Sequence, residues 1–241
     1  MLYLIGLGLN FDSISKFGLE IAQRCKRVYL ENYTVDFPYS KEQLQEVIGK
    51  KLIDANREKV ESLELIDEAK KIDVCLLIYG SPLTATTHIS LIQEAKNCNV
   101  RYKIIYNASV FDAVAETGLQ LYKFGKITSM PMWKKNFTPD SFMKTIQENM
   151  SMNAHSLILI DIGLNITDVL IQLEKSAKNY KINLKKIIIC QALGTKDRRI
   201  WYDSLEELKK YENVKKPYCI IIPSKLHFIE EEVLNNFKNK E

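Results

Sequence analysis

The sequence predicts an α/β protein of two domains, because three features recur along its 241 residues. Short aliphatic runs are continuous rather than alternating with polar residues, which is typical of strands covered by helices on both faces and so of a mainly parallel sheet. Segments with helical spacing and helix start signals lie between these runs. Turn-forming residues between Thr117 and Pro131 separate four runs from three others. We therefore predict domains at residues 1–112 and 113–241.

The predicted strands are rich in Val, Ile, Leu and Tyr. In chain order they are residues 2–5, 28–30, 74–79, 102–106, 157–162, 187–190 and 218–222. Helix starts are predicted where a capping serine precedes a polar or acidic residue by three positions, as Ser40 precedes Gln43 and Ser109 precedes Asp112.

A further helix is predicted to begin near Thr138, whose side chain can cap a helix that has Pro139 at its first position. Phe142, Ile146 and Met150 then follow at helical spacing. This spacing predicts one apolar face on that helix.

Composition and charge argue against several functional classes. Hydrophobic residues make up 46% of the chain and charged residues 27%, as in a folded globular protein. The net charge of +4 is spread over separated lysine pairs, and no dense basic stripe predicts nucleic acid binding. The opening segment lacks a basic leader, and no run approaches the ~20 apolar residues of a membrane span. We expect a cytoplasmic protein with no direct nucleic acid or membrane partner.

The cysteines predict a reducing compartment. They are odd in number, widely scattered, and three lie in apolar runs, where a thiol behaves as a small hydrophobic group. The five positions are Cys25, Cys75, Cys98, Cys190 and Cys219. Neither they nor the three histidines show the spacing of a zinc site, so we predict no metal.

Gly6-Leu7-Gly8 follows the first predicted strand and allows the backbone to turn tightly at the carboxyl end of the sheet. A dinucleotide-binding fingerprint would have a third glycine where this chain has Phe11. A Rossmann oxidoreductase is therefore disfavoured. Considered alone, the motif fits a glycine-containing turn without a ligand equally well.

Two further loops carry hydroxyl groups directly after strands. Residues 79–84 read Tyr-Gly-Ser-Pro-Leu-Thr, and residues 107–109 read Asn-Ala-Ser. Ser109 can cap the following helix or contact a ligand, and capping is the simpler alternative. Because the carboxyl ends of parallel strands meet at one edge of a sheet, the three loops predict a ligand crevice there.

Several segments along the whole chain resemble, in the same order, the signature segments of the diphthine synthase family. They include the first nine residues, 27–31 with Tyr33-Thr34, 85–88, 106–109, the Gly-Leu-Gln-Leu-Tyr-Lys-Phe-Gly of 118–125, 139–142, 159–162 and 225–227. The 118–125 block and the Asn-Ala-Ser turn are far more specific than a pair of glycines.

The resemblance implies a tetrapyrrole methylase-like fold, with a mainly parallel sheet in the first domain, a mixed sheet in the second and a cofactor cleft between them. It implies S-adenosyl-L-methionine as cofactor, S-adenosyl-L-homocysteine as product, and a homodimer. The implied cofactor contacts are Leu9, Ser81, Thr84, Ser109, Val110, Ile160, Leu193 and Tyr218. No catalytic residue is assigned.

Three positions depart from the family pattern. Ser81 stands where the family has an aspartate, and Tyr218 stands where it commonly has a histidine. The first loop, Gly8-Leu9-Asn10-Phe11, is also one residue shorter. A hydroxyl in place of a carboxylate keeps hydrogen-bonding capacity but removes the charge, so a contact of about 1.5–3 kcal/mol falls to the strength of a neutral hydrogen bond.

The implied reaction is successive methylation of the amino group of 3-amino-3-carboxypropyl-histidine in translation elongation factor 2, a step of diphthamide biosynthesis. Whether three or four methyl groups are transferred stays open. Tyr33, Tyr122 or Trp133 could face the growing cation through a ring face, with core packing as the alternative for each.

One alternative function is a catalytically weakened member that binds elongation factor 2 or a partner enzyme. A methylase acting on a small tetrapyrrole is another, against which the 118–125 block argues.

Overall fold

The computed structural model describes residues 1–211 and 213–238, and in it the chain divides into two compact units, Met1–Phe111 and Asp112–Glu241. We call them the N-terminal and C-terminal units. Within the described residues, each unit contains one five-stranded sheet.

The sheet of the N-terminal unit is wholly parallel. Its strands lie in the order β3-β2-β4-β1-β5. They are β1 (Leu2–Gly6), β2 (Arg27–Glu31), β3 (Ile53–Ala55), β4 (Val74–Ile78) and β5 (Tyr102–Ile105). The helices of this part of the chain are α1 (Lys16–Arg24), α2 (Lys41–Ile48), α3 (Arg57–Glu61), α4 (Glu64–Ala69), α5 (Ile89–Asn97) and α6 (Val110–Ala113).

Burial on both faces explains the continuous apolar runs of this sheet. Leu76 and Ile78 of β4 belong to one buried cluster, whereas Cys75 and Leu77, their neighbours in the strand, belong to another. Side chains alternate between the faces of a strand, so a strand with helices on both sides needs apolar residues at every position.

The sheet of the C-terminal unit is mixed, in the order β6-β7-β10-β8-β9. Its strands are β6 (Thr128–Met130), β7 (Ser156–Ile160), β8 (Ile187–Gln191), β9 (Arg199–Asp203) and β10 (Tyr218–Ile222). Within this sheet, β6 and β7 pair in parallel, and the other described pairs are antiparallel. The helices are α7 (Phe142–Ser151), α8 (Ile166–Asn179), α9 (Leu205–Leu208) and α10 (Phe228–Asn235). The predicted fold class, parallel in the first sheet and mixed in the second, is confirmed.

Helix starts were predicted with mixed success. Ser40 and Gln43 form the predicted capping box at α2, each side chain bonding to the other's backbone N–H. The start predicted at Thr138 and Pro139 is wrong, since α7 begins at Phe142. The Pro139 carbonyl instead accepts a hydrogen bond from the indole Nε1 of Trp133, at 2.9 Å.

The spacing of the apolar residues in α7 was predicted more accurately than its start. Phe142 and Ile146 are buried as expected, while Met150 is 36% exposed.

The five cysteines are free thiols. Across residues 1–211 and 213–238, no helix is long and apolar enough to cross a membrane. The same residues contain no group of three or more His, Cys, Asp or Glu side chains that could hold a metal ion.

Candidate functional site

Three loops meet at the carboxyl edge of the N-terminal sheet. We call them the β1 loop (residues 7–15), the β4 loop (79–88) and the β5 loop (106–109). The amide of Gly8 donates to the carbonyl of Gly80 at 3.1 Å, and the amide of Gly80 donates back to Gly8 at 2.9 Å. Both glycines have a positive φ, +71° and +69°, which other residues rarely adopt. The β1 and β4 loops are therefore joined by a two-bond backbone bridge.

Asn107 ties the β5 loop to the β1 loop. Its side-chain amide donates to the carbonyls of Gly6, at 3.1 Å, and Ser13, at 2.8 Å. Its side-chain oxygen accepts from the backbone N–H of Ala108 at 2.8 Å. One side chain thus holds the β1 and β5 loops together, although Asn107 and Gly6 are 101 positions apart in the sequence.

The structure brings together the five site residues predicted in this part of the chain. Leu9 follows Gly8, and Ser81 follows Gly80. Ser81 and Ser109 are 8% and 5% exposed, so both are nearly enclosed. The remaining two, Thr84 and Val110, are half-buried, and the amide of Thr84 closes a turn onto the carbonyl of Ser81 at 3.1 Å.

Ser109 acts as a helix cap, which was the simpler alternative for it. Its hydroxyl accepts a hydrogen bond from the backbone N–H of Phe111 in α6 at 3.1 Å. A Cβ placed on Gly80 would lie 3.5 Å from the Cα of Ser109, so the β4 and β5 loops are also in contact. The cap and the loop contact together fix the position of Ser109.

The three predicted site residues of the C-terminal unit lie at one edge of the mixed sheet. Ile160 ends β7, Tyr218 begins the antiparallel β10, and Leu193 follows β8 by two residues. Tyr218 pairs with Gln191 across β10 and β8. The hydroxyl of Tyr218 donates to the carbonyl of Leu164 at 2.9 Å, so the tyrosine found in place of the family histidine is anchored within its own unit.

The five predicted contact residues at the carboxyl edge of the N-terminal sheet carry no charge. Ser81, Thr84 and Ser109 offer hydroxyls, and Leu9 and Val110 offer aliphatic contact. Such a set can hydrogen-bond the ribose or amino acid part of a nucleoside ligand and pack against its base. It offers no charged side chain to replace the family aspartate.

An aromatic cluster beside the β1 loop was not predicted. Phe37 and Tyr39 each pack near the ring of Tyr79, and Phe11 packs against Tyr39. The hydroxyl of Tyr79 donates to the carbonyl of Leu9 at 3.2 Å. The buried hydroxyl of Tyr39 finds no hydrogen-bond partner among the described residues. Burial raises the pKa of Tyr39, so this hydroxyl is a protonated donor that a ligand or a water molecule can satisfy.

The aromatic residues considered as cation-binding groups differ in their surroundings. The guanidinium carbon of Arg57 lies 5.2 Å from the ring centroid of Tyr33, so that ring already carries a cation. Tyr122 is 82% exposed, which rules out core packing for it. Trp133 is held by its bond to Pro139.

The 118–125 block packs against α10 of its own unit. The backbone N–H of Gln120 donates to Oε1 of Glu230 at 2.9 Å, and Lys123 forms an ion pair with the same carboxylate. Lys123 also donates to the carbonyl of Lys225 at 2.9 Å. The backbone and the lysine of this block therefore have a structural role.

Replacing Asn107 by alanine is expected to cost about 1–3 kcal/mol of unfolding free energy, because the carbonyls of Gly6 and Ser13 both lose their hydrogen bonds to this half-buried side chain. The β1 and β5 loops would separate, and ligand affinity at this edge should fall with stability. Urea unfolding of the variant measures the first effect. Asn97→Ala is the matched control, since the side chain of Asn97 is exposed and its hydrogen bonds in the described structure are to side chains of its own helix. Equal stability of the two variants would contradict a bridging role for Asn107.

Comparison with known proteins gives a consistent set of relatives. The family described as Tetrapyrrole (Corrin/Porphyrin) Methylases matches residues 1–209. Diphthine synthase of Methanocaldococcus jannaschii is 36% identical over 251 residues, covering 97% of this chain and 97% of that protein. Diphthine methyl ester synthase of Schizosaccharomyces pombe is 45% identical over 166 residues, covering 67% of this chain and 58% of that protein. A crystal structure of diphthine synthase matches with a TM-score of 0.88 and 32% identity, over 98% of this chain and 95% of that one.

Proposed function

The chain belongs to the tetrapyrrole methylase family, as a methyltransferase of the diphthine synthase type, and on that basis we propose its cofactor and substrate. The cofactor is S-adenosyl-L-methionine. The substrate is the amino group of 3-amino-3-carboxypropyl-histidine in translation elongation factor 2, which is methylated successively. The family that the signature segments predict for this chain is confirmed by the family match and by the relatives.

The observation that carries the cofactor proposal is the convergence of the three loops. Gly8 and Gly80 bridge two of them, and Asn107 holds the third. When bound, S-adenosyl-L-methionine supplies an activated methyl group, so the protein's task is to bind and orient the reactants and exclude water. Buried hydroxyls on rigidly joined loops suit that task.

The proposed contacts follow from the resemblance and from burial at this edge. Leu9, Ser81, Thr84, Ser109 and Val110 are the proposed contacts of the N-terminal unit. The edge of the mixed sheet adds Ile160, Leu193 and Tyr218 as further proposed contacts. An alanine scan of these eight positions, read by calorimetric titration with the cofactor, tests each one.

The function is tested by incubating the protein and cofactor with elongation factor 2 that carries the aminocarboxypropyl histidine. Mass spectrometry then counts the added methyl groups. Three additions would match the diphthine synthases, and a fourth would match the methyl ester synthases. Elongation factor 2 with unmodified histidine is the control. An absence of mass gain with the modified factor, alongside measurable cofactor binding, would contradict the proposed substrate.

Cofactor binding also separates the enzyme from the alternative of a partner-binding protein. Failure to take up S-adenosyl-L-methionine at millimolar concentration would favour that alternative. We further propose a homodimer and a cytoplasmic location, in keeping with the resemblance. Sedimentation of the purified chain tests the dimer directly, and a monomer at micromolar concentration would contradict it.

Replacing Ser81 by aspartate is expected to strengthen cofactor binding about tenfold. A hydrogen bond from a ligand hydroxyl to a carboxylate contributes about 1.5–3 kcal/mol, against about 0.5–1.5 kcal/mol for one to a neutral hydroxyl. Calorimetry of the variant and of Ser81→Asn measures the gain. Asparagine has nearly the same size but no charge, so an equal gain in both variants would attribute the effect to shape. Unchanged affinity in both would mean that the serine already suffices.

A further inference from the structure

A second group of polar side chains lies at the same edge of the N-terminal sheet. Glu31 ends β2, and Tyr33 and Thr34 lie in the turn that follows. The carboxylate of Glu31 is fully buried. It accepts hydrogen bonds from the backbone N–H of Tyr33 at 3.2 Å and from the hydroxyl of Thr34 at 2.7 Å. A buried carboxylate therefore fixes the turn that carries Tyr33.

His88 joins this turn to the β4 loop. Its imidazole is 1% exposed, and Nδ1 lies 3.1 Å from the carbonyl oxygen of Pro82, the residue after Ser81. A carbonyl only accepts, so Nδ1 carries a proton and Nε2 of the neutral ring is an acceptor. Nε2 lies 3.4 Å from the hydroxyl oxygen of Tyr33, a long hydrogen bond of the kind that often tightens when substrate binds.

Burial keeps both Tyr33 and His88 neutral at physiological pH. Burial raises the pKa of Tyr33 to about 12, with Glu31 and Glu61 acting in the same direction and Arg57 against them. Burial also lowers the pKa of His88, against the opposing effect of its bond to Pro82. The phenol is thus protonated, and it donates to a neutral imidazole that is in turn bonded to the proposed cofactor loop.

We propose that the hydroxyl of Tyr33, oriented by His88, binds the acceptor amine and takes its proton before each methyl transfer. This inference rests on the proposed function. An N–H bond of the substrate ammonium breaks and its proton joins the Tyr33 oxygen, while the proton of Tyr33 passes to Nε2 of His88. The lone pair left on the amine is then available to attack the methyl group. The imidazolium keeps its Nδ1–H bond to Pro82 and returns the proton to water through Tyr33.

This role makes Tyr33 a catalytic residue and His88 a positioning residue that also holds the proton. A new ammonium forms after the first transfer and again after the second, so deprotonation is needed repeatedly. Loss of the Tyr33 hydroxyl should therefore slow the reaction and leave partly methylated product.

Tyr33→Phe tests the proposal, because it removes one oxygen and keeps the ring. We expect the methyl transfer rate to fall roughly 100-fold at pH 7, the usual contribution of a proton-transfer group, with cofactor affinity unchanged by calorimetry. Mass spectrometry should show products with one or two methyl groups. The deficit should shrink to less than about tenfold by pH 9.5, because more of the amine is then already neutral in solution.

His88→Asn separates proton transfer from loop support. The asparagine amide can still donate to Pro82, as Nδ1 does, but it has no group at the position of Nε2. We expect its rate and pH profile to follow those of Tyr33→Phe, with cofactor binding retained. Tyr102→Phe, which changes a half-buried tyrosine at the amino end of β5, should react as the unsubstituted protein does.

Two results would overturn the inference. One is a Tyr33→Phe variant that transfers methyl at the unsubstituted rate at every pH between 7 and 9.5. The other is a variant that loses cofactor binding and activity together, which would reduce Tyr33 to a support of the loop. If the unsubstituted protein itself transfers no methyl to the modified factor, the proposed function fails and this inference falls with it.

Discussion

Replacing Glu230 by glutamine is expected to lower the unfolding free energy by about 3 kcal/mol, a loss typical of breaking a buried charged network. Oε1 of this fully buried carboxylate accepts from the N–H of Gln120 at 2.9 Å and from Nε2 of His155 at 3.2 Å. Oε2 accepts from the N–H of His227 at 2.7 Å and from Lys123. A glutamine would turn its NH₂ toward two donors, whichever way it pointed.

The measurement is urea unfolding at pH 7, with Glu148→Gln as the control. Glu148 pairs with Lys126 on the surface at 2.8 Å, where the two side chains are 40% and 67% exposed. Exposed pairs contribute little, so the control should unfold at nearly the same urea concentration as the unsubstituted chain. Equal losses in the two variants would show that the Glu230 network does not hold α10 in place.

The same network predicts how stability changes with pH. Burial alone would raise the pKa of Glu230, but the N–H donors of Gln120 and His227, with Lys123 and His155, outweigh it and lower the pKa to about 2 from 4.5. The stabilisation is therefore complete above pH 4.5 and is lost as the pH falls from there through 2. The difference between Glu230→Gln and the unsubstituted chain should shrink over that range. A difference that stays constant down to pH 2.5 would contradict it.

Protonation of His155 also lowers stability as the pH falls, but at a higher pH than protonation of Glu230 does. Its Nδ1 accepts from the backbone N–H of Ser224 at 3.0 Å, so Nε2 carries the proton that faces Glu230. Burial lowers the pKa of His155 below 6.5, although Glu230 opposes this. An unfolded histidine therefore takes up a proton first, and stability declines as the pH falls below about 6.5. This decline should persist in Glu230→Gln.

The interior strands and the edge strand β5 could be predicted from the sequence, whereas the other three edge strands could not. β3, β6 and β9 lie at the edges of their sheets and were all missed. β3 reads Ile-Asp-Ala and β6 reads Thr-Ser-Met. An edge strand is paired on one side only and is often short and polar, so it lacks the continuous apolar run that marks β4 or β8.

The loops of the site could be predicted, but the contacts that join them could not. Glycines and hydroxyls directly after strands identified the β1, β4 and β5 loops. Tyr33 and His88 are 55 positions apart, and no local pattern predicts their contact. Glu230 belongs to a run of three glutamates, a pattern typical of a solvated surface, yet it is fully buried while Glu231 and Glu232 are exposed. Only the fold supplies the four donors that make its burial possible.

Replacing Gly6 by alanine is expected to disrupt the site more than any single change of a hydroxyl. The added Cβ would lie 2.6 Å from the carbonyl oxygen of Gly80, too close for any contact, and the obstacle is backbone rather than a flexible side chain. The β1 and β4 loops would have to move apart. Overpacking of this kind costs about 1–3 kcal/mol of stability, and cofactor affinity should fall at least about tenfold with it.

Gly49→Ala is the matched control for that result. Gly49 ends α2 with φ +71° and has nothing within 4 Å of an added Cβ, so alanine there brings backbone strain without a clash. We expect it to cost about 1 kcal/mol of stability and to leave cofactor affinity unchanged. Calorimetry and urea unfolding of both variants then separate loss of stability from loss of the site. A Gly6→Ala variant that binds the cofactor as Gly49→Ala does would mean that the close approach of the β1 and β4 loops does not form the cofactor site.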